Sequence, residues 1–160
     1  MKKIFLTTAI AALFSVSTFA VVGGKKSNET IITESYNAVR QFNSDFPNTR
    51  DVTWTVTKNT QRADFNLDGI KKTAFYDLEG NFLGTTQIIS YKAIPLKSQK
   101  LIANEYRGYT AIDVIVYQTN QALNDTIDAT AYFVDLKSST HEALVRVTET
   151  GSVEFFKQVK

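Results

Sequence analysis

Cysteine is absent from the 160-residue chain, and histidine and tryptophan occur once each. Without cysteine there is no disulfide framework, no thiol nucleophile and no lipid-attachment residue behind an export signal. Zinc would find neither thiolates nor enough imidazoles to hold it. The lone His141 stands beside Ser138 and Ser139 in what reads as a hairpin loop, and no nucleophile-elbow glycine pattern accompanies it. No catalytic, cofactor-binding or metal-ligating set is therefore expected, and the chain reads as a non-enzyme. Surplus positive charge is lacking too. The formal net charge of +2 disappears once Lys2 and Lys3 are set aside, leaving 16 basic residues against 16 acidic ones. Nothing in that balance points to nucleic acid.

Those two lysines open an export signal. They precede an apolar stretch from Ile4 to about Phe14, and small residues Thr18 and Ala20 stand at the cleavage positions. The apolar run is shorter than the ~20 residues that cross a bilayer. Residues 1–20 are read as a cleaved signal peptide, residues 21–32 as a flexible lead-in, and residues 33–160 as the folded domain. After cleavage no membrane span remains, and the expected location is periplasmic or secreted.

The domain reads as one unit written twice, repeat one over residues 33–91 and repeat two over 92–160. Tyr36, Val39, Phe42 and Phe46 fall on one helical face, as do Leu96, Leu101, Ile102 and Tyr106 in the second copy. An alternating strand follows each helix: Val52, Trp54 and Val56, then Ile112, Val114 and Val116, displaced by 60 positions. Each copy ends on a glycine hairpin, at Gly80 and at Gly151, where the displacement has grown to 71. The polar run Gln118 to Asp128 takes up the difference as a longer loop. Asp68-Gly69 supplies the positive φ angles of a tight hairpin, Pro47 stops the first helix, and Pro95 is placed in the first turn of the second. The expected class is α+β: a tandem repeat of a helix plus four antiparallel strands, forming one eight-stranded sheet with the helices on one face. The alternative is an ordinary α+β domain without duplication.

A sheet covered on one side leaves the other to be read. If Val52, Trp54, Val56, Ala74, Tyr76, Ile112, Val114, Val116, Val145 and Val147 point to the helices, alternation turns Thr53, Thr55, Thr73, Phe75, Asp113, Ile115, Tyr117 and Arg146 outward. Aromatic and aliphatic anchors on such a face suit an interaction surface. The candidate residues are Phe75, Ile115 and Tyr117, with Tyr132 and Phe156 joining them if they face the same way. Lys71-Lys72 reads as a strand face rather than a phosphate site.

Two motifs mislead. Asp64-Phe65-Asn66-Leu67-Asp68-Gly69 opens like a calcium loop, yet its twelfth position is Phe75, where a bidentate carboxylate is required. Its alternation suits a strand entering a hairpin. Asn28-Glu29-Thr30 and Asn124-Asp125-Thr126 match a glycosylation acceptor but are uninformative behind a signal of bacterial type.

The order of the pieces carries a resemblance. A helix ending in Asp45-Phe46-Pro47, then Asp51-Val52-Thr53-Trp54, then Phe75 to Leu83 and a later Ile94-Pro95, resembles the β-lactamase-inhibitor-like, PepSY-like domain family of exported bacterial proteins. Tyr106-Arg107-Gly108-Tyr109 leading into Ile112 to Val116 is similar to the second repeat of that family. The resemblance runs from about Glu34 to Lys160. It implies a sheet curved into a saddle, whose concave face and loops grip an enzyme in the inhibitors themselves. The expectation is an exported binding module that engages a protein or peptide in the cell envelope through its open sheet face. A narrower alternative is direct inhibition of an envelope enzyme, a β-lactamase or peptidase. A third is a hydrolase built on Asp64, Asp77, Asp113 and Asp135, should the fold bring them together.

Overall fold

The computed structural model describes residues 33–120 and 128–159. The signal peptide, the lead-in, both Asn-X-Thr motifs and the centre of the 118–128 loop lie outside the described residues. The element order is α1 (Tyr36–Asp45), β1 (Arg50–Val56), β2 (Gln61–Leu67), β3 (Ile70–Tyr76), β4 (Phe82–Ile89), a 3-10 turn (Tyr91–Ala93), α2 (Leu96–Glu105), β5 (Thr110–Thr119), β6 (Thr130–Lys137), β7 (Glu142–Val147) and β8 (Val153–Gln158). All eight strands join one antiparallel sheet in sequence order.

Both helices lie on the same face of that sheet, as one cross-strand row shows. Phe65 packs with Phe42 of α1, and its row continues through Lys72, Gln87, Val116 and Tyr132 to Val147. Val147 packs with Ile102 of α2. The α1 half is an aromatic core in which Phe42 meets Trp54 and Phe65 edge-on, a geometry that aromatic rings prefer. The α2 half is aliphatic: Ile94, Ile102, Val114, Val134, Leu136, Val145 and Val147.

The helices face the core through a narrower stripe than hydrophobicity suggests. In α1 the buried residues are Ala38 and Phe42, and Tyr36 is 78% exposed. In α2 they are Ser98 and Ile102, and Leu96 is exposed. Small residues sit one turn in because a hairpin lands there. A Cβ on Gly80 would lie 2.7 Å from both the Ala38 nitrogen and the Asn37 Cβ, and one on Gly151 would lie 3.3 Å from Ser98 Oγ. Ser35 caps α1 by accepting from the Ala38 N–H. Pro95 occupies the cap position of α2, one residue outside the first turn.

The ladder carries four register shifts, and those in β1 and β5 upset the expected alternation. The register slips between Arg50 and Thr53 and again between Ala111 and Val114. Asp51, with φ +53°, supplies the first kink. An extra residue in each strand breaks the period of two, so Val52 and Ile112 are exposed rather than buried beneath the helices.

Candidate functional site

On the face opposite the helices, β2 to β5 form a grid. One row runs Arg62, Phe75, Gly84, Thr119, and the next runs Asp64, Thr73, Thr86, Tyr117. Beyond them Asn66 stands across from Lys71, and Ile88 across from Ile115. Here the surface is hollowed into an open trough of about 480 Å³, lined on this face by Arg62, Asp64, Asn66, Lys71, Thr73, Phe75, Thr86, Ile88 and Ile115. Its β2–β3 side is polar and its β4–β5 side aliphatic.

The charges of the polar side are ordered by local pairing. Asp64 accepts from Arg62 at 3.0 Å and from the Thr73 hydroxyl at 2.7 Å. One bond runs along β2 and the other crosses to β3, so both carboxylate oxygens are engaged. Arg62 Nε is buried with no partner. Lys71 is exposed and forms no ion pair among the described residues.

Further along the same face, beyond the trough, side chains fill the surface. Tyr117, Ala131, Phe133 and Leu144 form a buried cluster with Phe156 against it, and the Phe133 and Phe156 rings meet edge-on at 5.1 Å. Tyr117 lies over Gly84, where a Cβ would come within 2.9 Å of its ring, and donates its hydroxyl to the Leu83 carbonyl at 3.1 Å. Burial pushes its phenol up to about 12. Arg146 is neutralised beside this cluster by Asp128 at 2.8 Å and Glu154 at 3.2 Å.

The five candidate anchors are thus separated by the fold. Phe75 and Ile115 line the trough, Phe75 as its buried floor. Tyr117 and Phe156 belong to the closed cluster. Tyr132 is on the other face, in register with Val116 and Val147 and packed on the α2 core. Ile88, 68% exposed beside Ile115, was missed. Only the β4–β5 register shows that it extends the Ile115 row.

The four aspartates do not converge. Asp64 is in the trough, whereas Asp77 accepts from the Asn81 backbone and side chain in the Gly80 hairpin. Asp135 lies at the far end of the face, where burial, then repulsion from Glu142 and Asp113, raises its carboxyl. His141 Nδ1 is 2.7 Å from the neighbouring Thr140 hydroxyl in an exposed turn. The Asp64–Gly69 segment is the β2–β3 hairpin, with Asp68 and Gly69 at positive φ. No helix among the described residues is long and apolar enough to cross a membrane.

A single antiparallel sheet with two helices on one side and a hollowed opposite face defines the class of fold, and solved structures share it. The chain is similar to a BLIP-like protein from Bacteroides fragilis NCTC 9343, with 18% identity, coverage of 81% of this chain and 89% of that one, and a TM-score of 0.66. It is also similar to a DUF2874 family protein from Bacteroides uniformis ATCC 8492, at 15% identity, 79% and 91% coverage and a TM-score of 0.69. A protein from Bacteroides eggerthii DSM 20697, provisionally described as periplasmic, matches at 12% identity, 79% and 88% coverage and a TM-score of 0.66. No family model and no curated protein matches the chain. The resemblance read in the sequence therefore holds at the level of the fold.

Proposed function

We propose that the chain is an exported, non-enzymatic binding module that engages a protein or peptide through the open face of its sheet. The observation that carries this reading is the trough over β2 to β5, with Ile88 standing exposed beside Ile115 and a polar wall opposite. Exposed aliphatic side chains next to ordered polar groups suit a protein contact better than chemistry. The BLIP-like and provisionally periplasmic neighbours support a role in the cell envelope.

The fold also supports an origin by tandem duplication of a helix with four strands. The helices are displaced by 60 residues and the glycine turns by 71, and each turn lands on the equivalent small residue of its own helix. Such a history would make the two halves of the open face independent in composition, with the first hollow and the second closed.

A photo-crosslinking amino acid at Ile88, with Lys100 on α2 as the control position, tests the binding reading in the host envelope. A discrete adduct from Ile88 that Lys100 does not give is the expected result. Absence of an adduct at Ile88, or the same adducts from both, overturns it. The BLIP-like neighbour favours a narrower second reading, inhibition of an envelope β-lactamase or peptidase. Excess purified protein should then slow one member of a panel of such enzymes, and a panel left unchanged discards the idea.

A further inference from the structure

We infer that the trough is built for an acidic, apolar partner segment: an extended stretch presenting a carboxylate to the Lys71 side and an aliphatic or aromatic side chain to Ile88 and Ile115. This deepens the binding-module reading and rests on it. The register is the first argument. Thr73 pairs with Thr86, and the next open-face positions along the two strands are Lys71 and Ile88; Ile88 in turn pairs with Ile115. A cation and two aliphatic residues therefore follow one another across three neighbouring strands, spanning about 10 Å at the usual strand spacing. Residues i and i+2 of an extended partner point the same way about 7 Å apart, so one carboxylate and one apolar side chain two positions apart can reach both.

The second argument is the balance of donors and acceptors. Asp64 is already satisfied by Arg62 and Thr73, whereas Arg62 Nε is a buried donor without an acceptor. Lys71 likewise has no anion among the described residues. The unpaired carboxylate on the lining, Asp51, stands away on the β1 bulge. Arg146, the cation on the other half of this face, is by contrast held by two carboxylates. Arg62 Nε is out of reach of a partner, but the exposed Lys71 ammonium is left for an acceptor from outside.

The test uses the purified chain with its isoleucine methyls labelled, titrated with three synthetic heptapeptides. Each is threonine-based, with leucine at one position and Glu, Gln or Lys two residues away. The Glu peptide should move the Ile88 and Ile115 methyl signals and bind at least tenfold more tightly than the Lys peptide, and Lys71→Glu should reverse that order. Ile88→Thr should weaken all three. If the three peptides move the methyls equally, the charge preference is wrong while open-face binding stands. If the Lys peptide wins, or no peptide moves the methyls, the inference fails, and the Ile88 crosslink separately decides the binding reading.

Discussion

Ser98 Oγ donates a 3.0 Å hydrogen bond to the Gly151 carbonyl, a fully buried hydroxyl fastening the last hairpin to the second helix. Ala38 holds the equivalent place under Gly80 without a hydroxyl, and there the backbones approach more closely. The two glycines should thus differ in tolerance. Gly80→Ala should cost roughly 3 kcal/mol, from the left-handed φ together with overpacking on α1. Gly151→Ala should cost about 1–2 kcal/mol, chiefly from its φ. Ser98→Ala should cost about 1–2 kcal/mol by orphaning a buried carbonyl. Urea unfolding of the three variants checks the ranking.

Gln61 is a buried polar hub. Its Oε1 accepts from the Ser35 N–H at 2.6 Å, and its Nε2 donates to Ser35 Oγ at 3.0 Å and to the Asp77 carbonyl at 2.8 Å. One side chain thereby joins the α1 cap, the start of β2 and the first glycine hairpin. Gln61→Ala should lose roughly 3 kcal/mol, since several buried groups are left unpaired at once. Gln61→Glu keeps the acceptor but aims a carboxylate at a carbonyl. Its proton will be favoured in the folded state, so that variant should be more stable at pH 4 than at pH 7. Thermal melts at the two pH values read this out.

Gly84 marks a close approach of backbone within the sheet. A Cβ there would sit 2.4 Å from the Gln118 carbonyl and 2.9 Å from the Tyr117 ring. The contact lies on the β4–β5 ladder that joins the two halves of the sheet. Gly84→Ala should cost more than about 3 kcal/mol, because relief requires either parting the strands or expelling Tyr117. Loss of amide-exchange protection across β4 and β5 before the rest of the sheet would identify the seam.

Much of this was legible in the sequence, and the failures have physical causes. Asp68-Gly69 and the two glycine hairpins are set by local φ requirements, which residue identity reports directly. Ala38 and Ser98 escaped because a small residue under a hairpin carries no hydrophobic signal. Val52 and Ile112 were misplaced because a bulge adds a residue without changing composition. The trough needed more still. Arg62, Asp64, Lys71 and Ile88 lie on three strands, and only the register brings them beside Phe75 and Ile115.

Two buried phenols make opposite claims on stability. Tyr117 has a hydrogen-bond partner, whereas the Tyr76 hydroxyl is buried without one. At neutral pH Tyr117→Phe should cost about 1 kcal/mol, and Tyr76→Phe should be neutral or stabilising by up to about 1 kcal/mol. Burial raises both phenols, with a smaller contribution from Asp45 at Tyr76. A raised folded value means that the folded state keeps its proton after the unfolded chain has lost it. Stability is therefore complete below about pH 10 and falls as pH rises through about 12 for Tyr117, by about 2 kcal/mol over that window. Denaturant midpoints from pH 8 to 11 should decline for the native chain and decline less for Tyr117→Phe.

Asp135 works against the fold at neutral pH. One of its oxygens is buried and unpaired, and burial, Glu142 and Asp113 raise its carboxyl while Lys137 opposes them. The folded state thus holds this proton more tightly than the unfolded chain does. The favourable contribution is complete below the unfolded value near 3.8 and is lost as pH climbs through the higher folded value. Asp135→Asn should accordingly melt above the native chain at pH 7, and its advantage should close as pH falls toward 3.8. A variant no more stable at neutral pH would mean that the charge is compensated at that end of the sheet. An advantage unchanged at low pH would assign the gain to packing instead of charge.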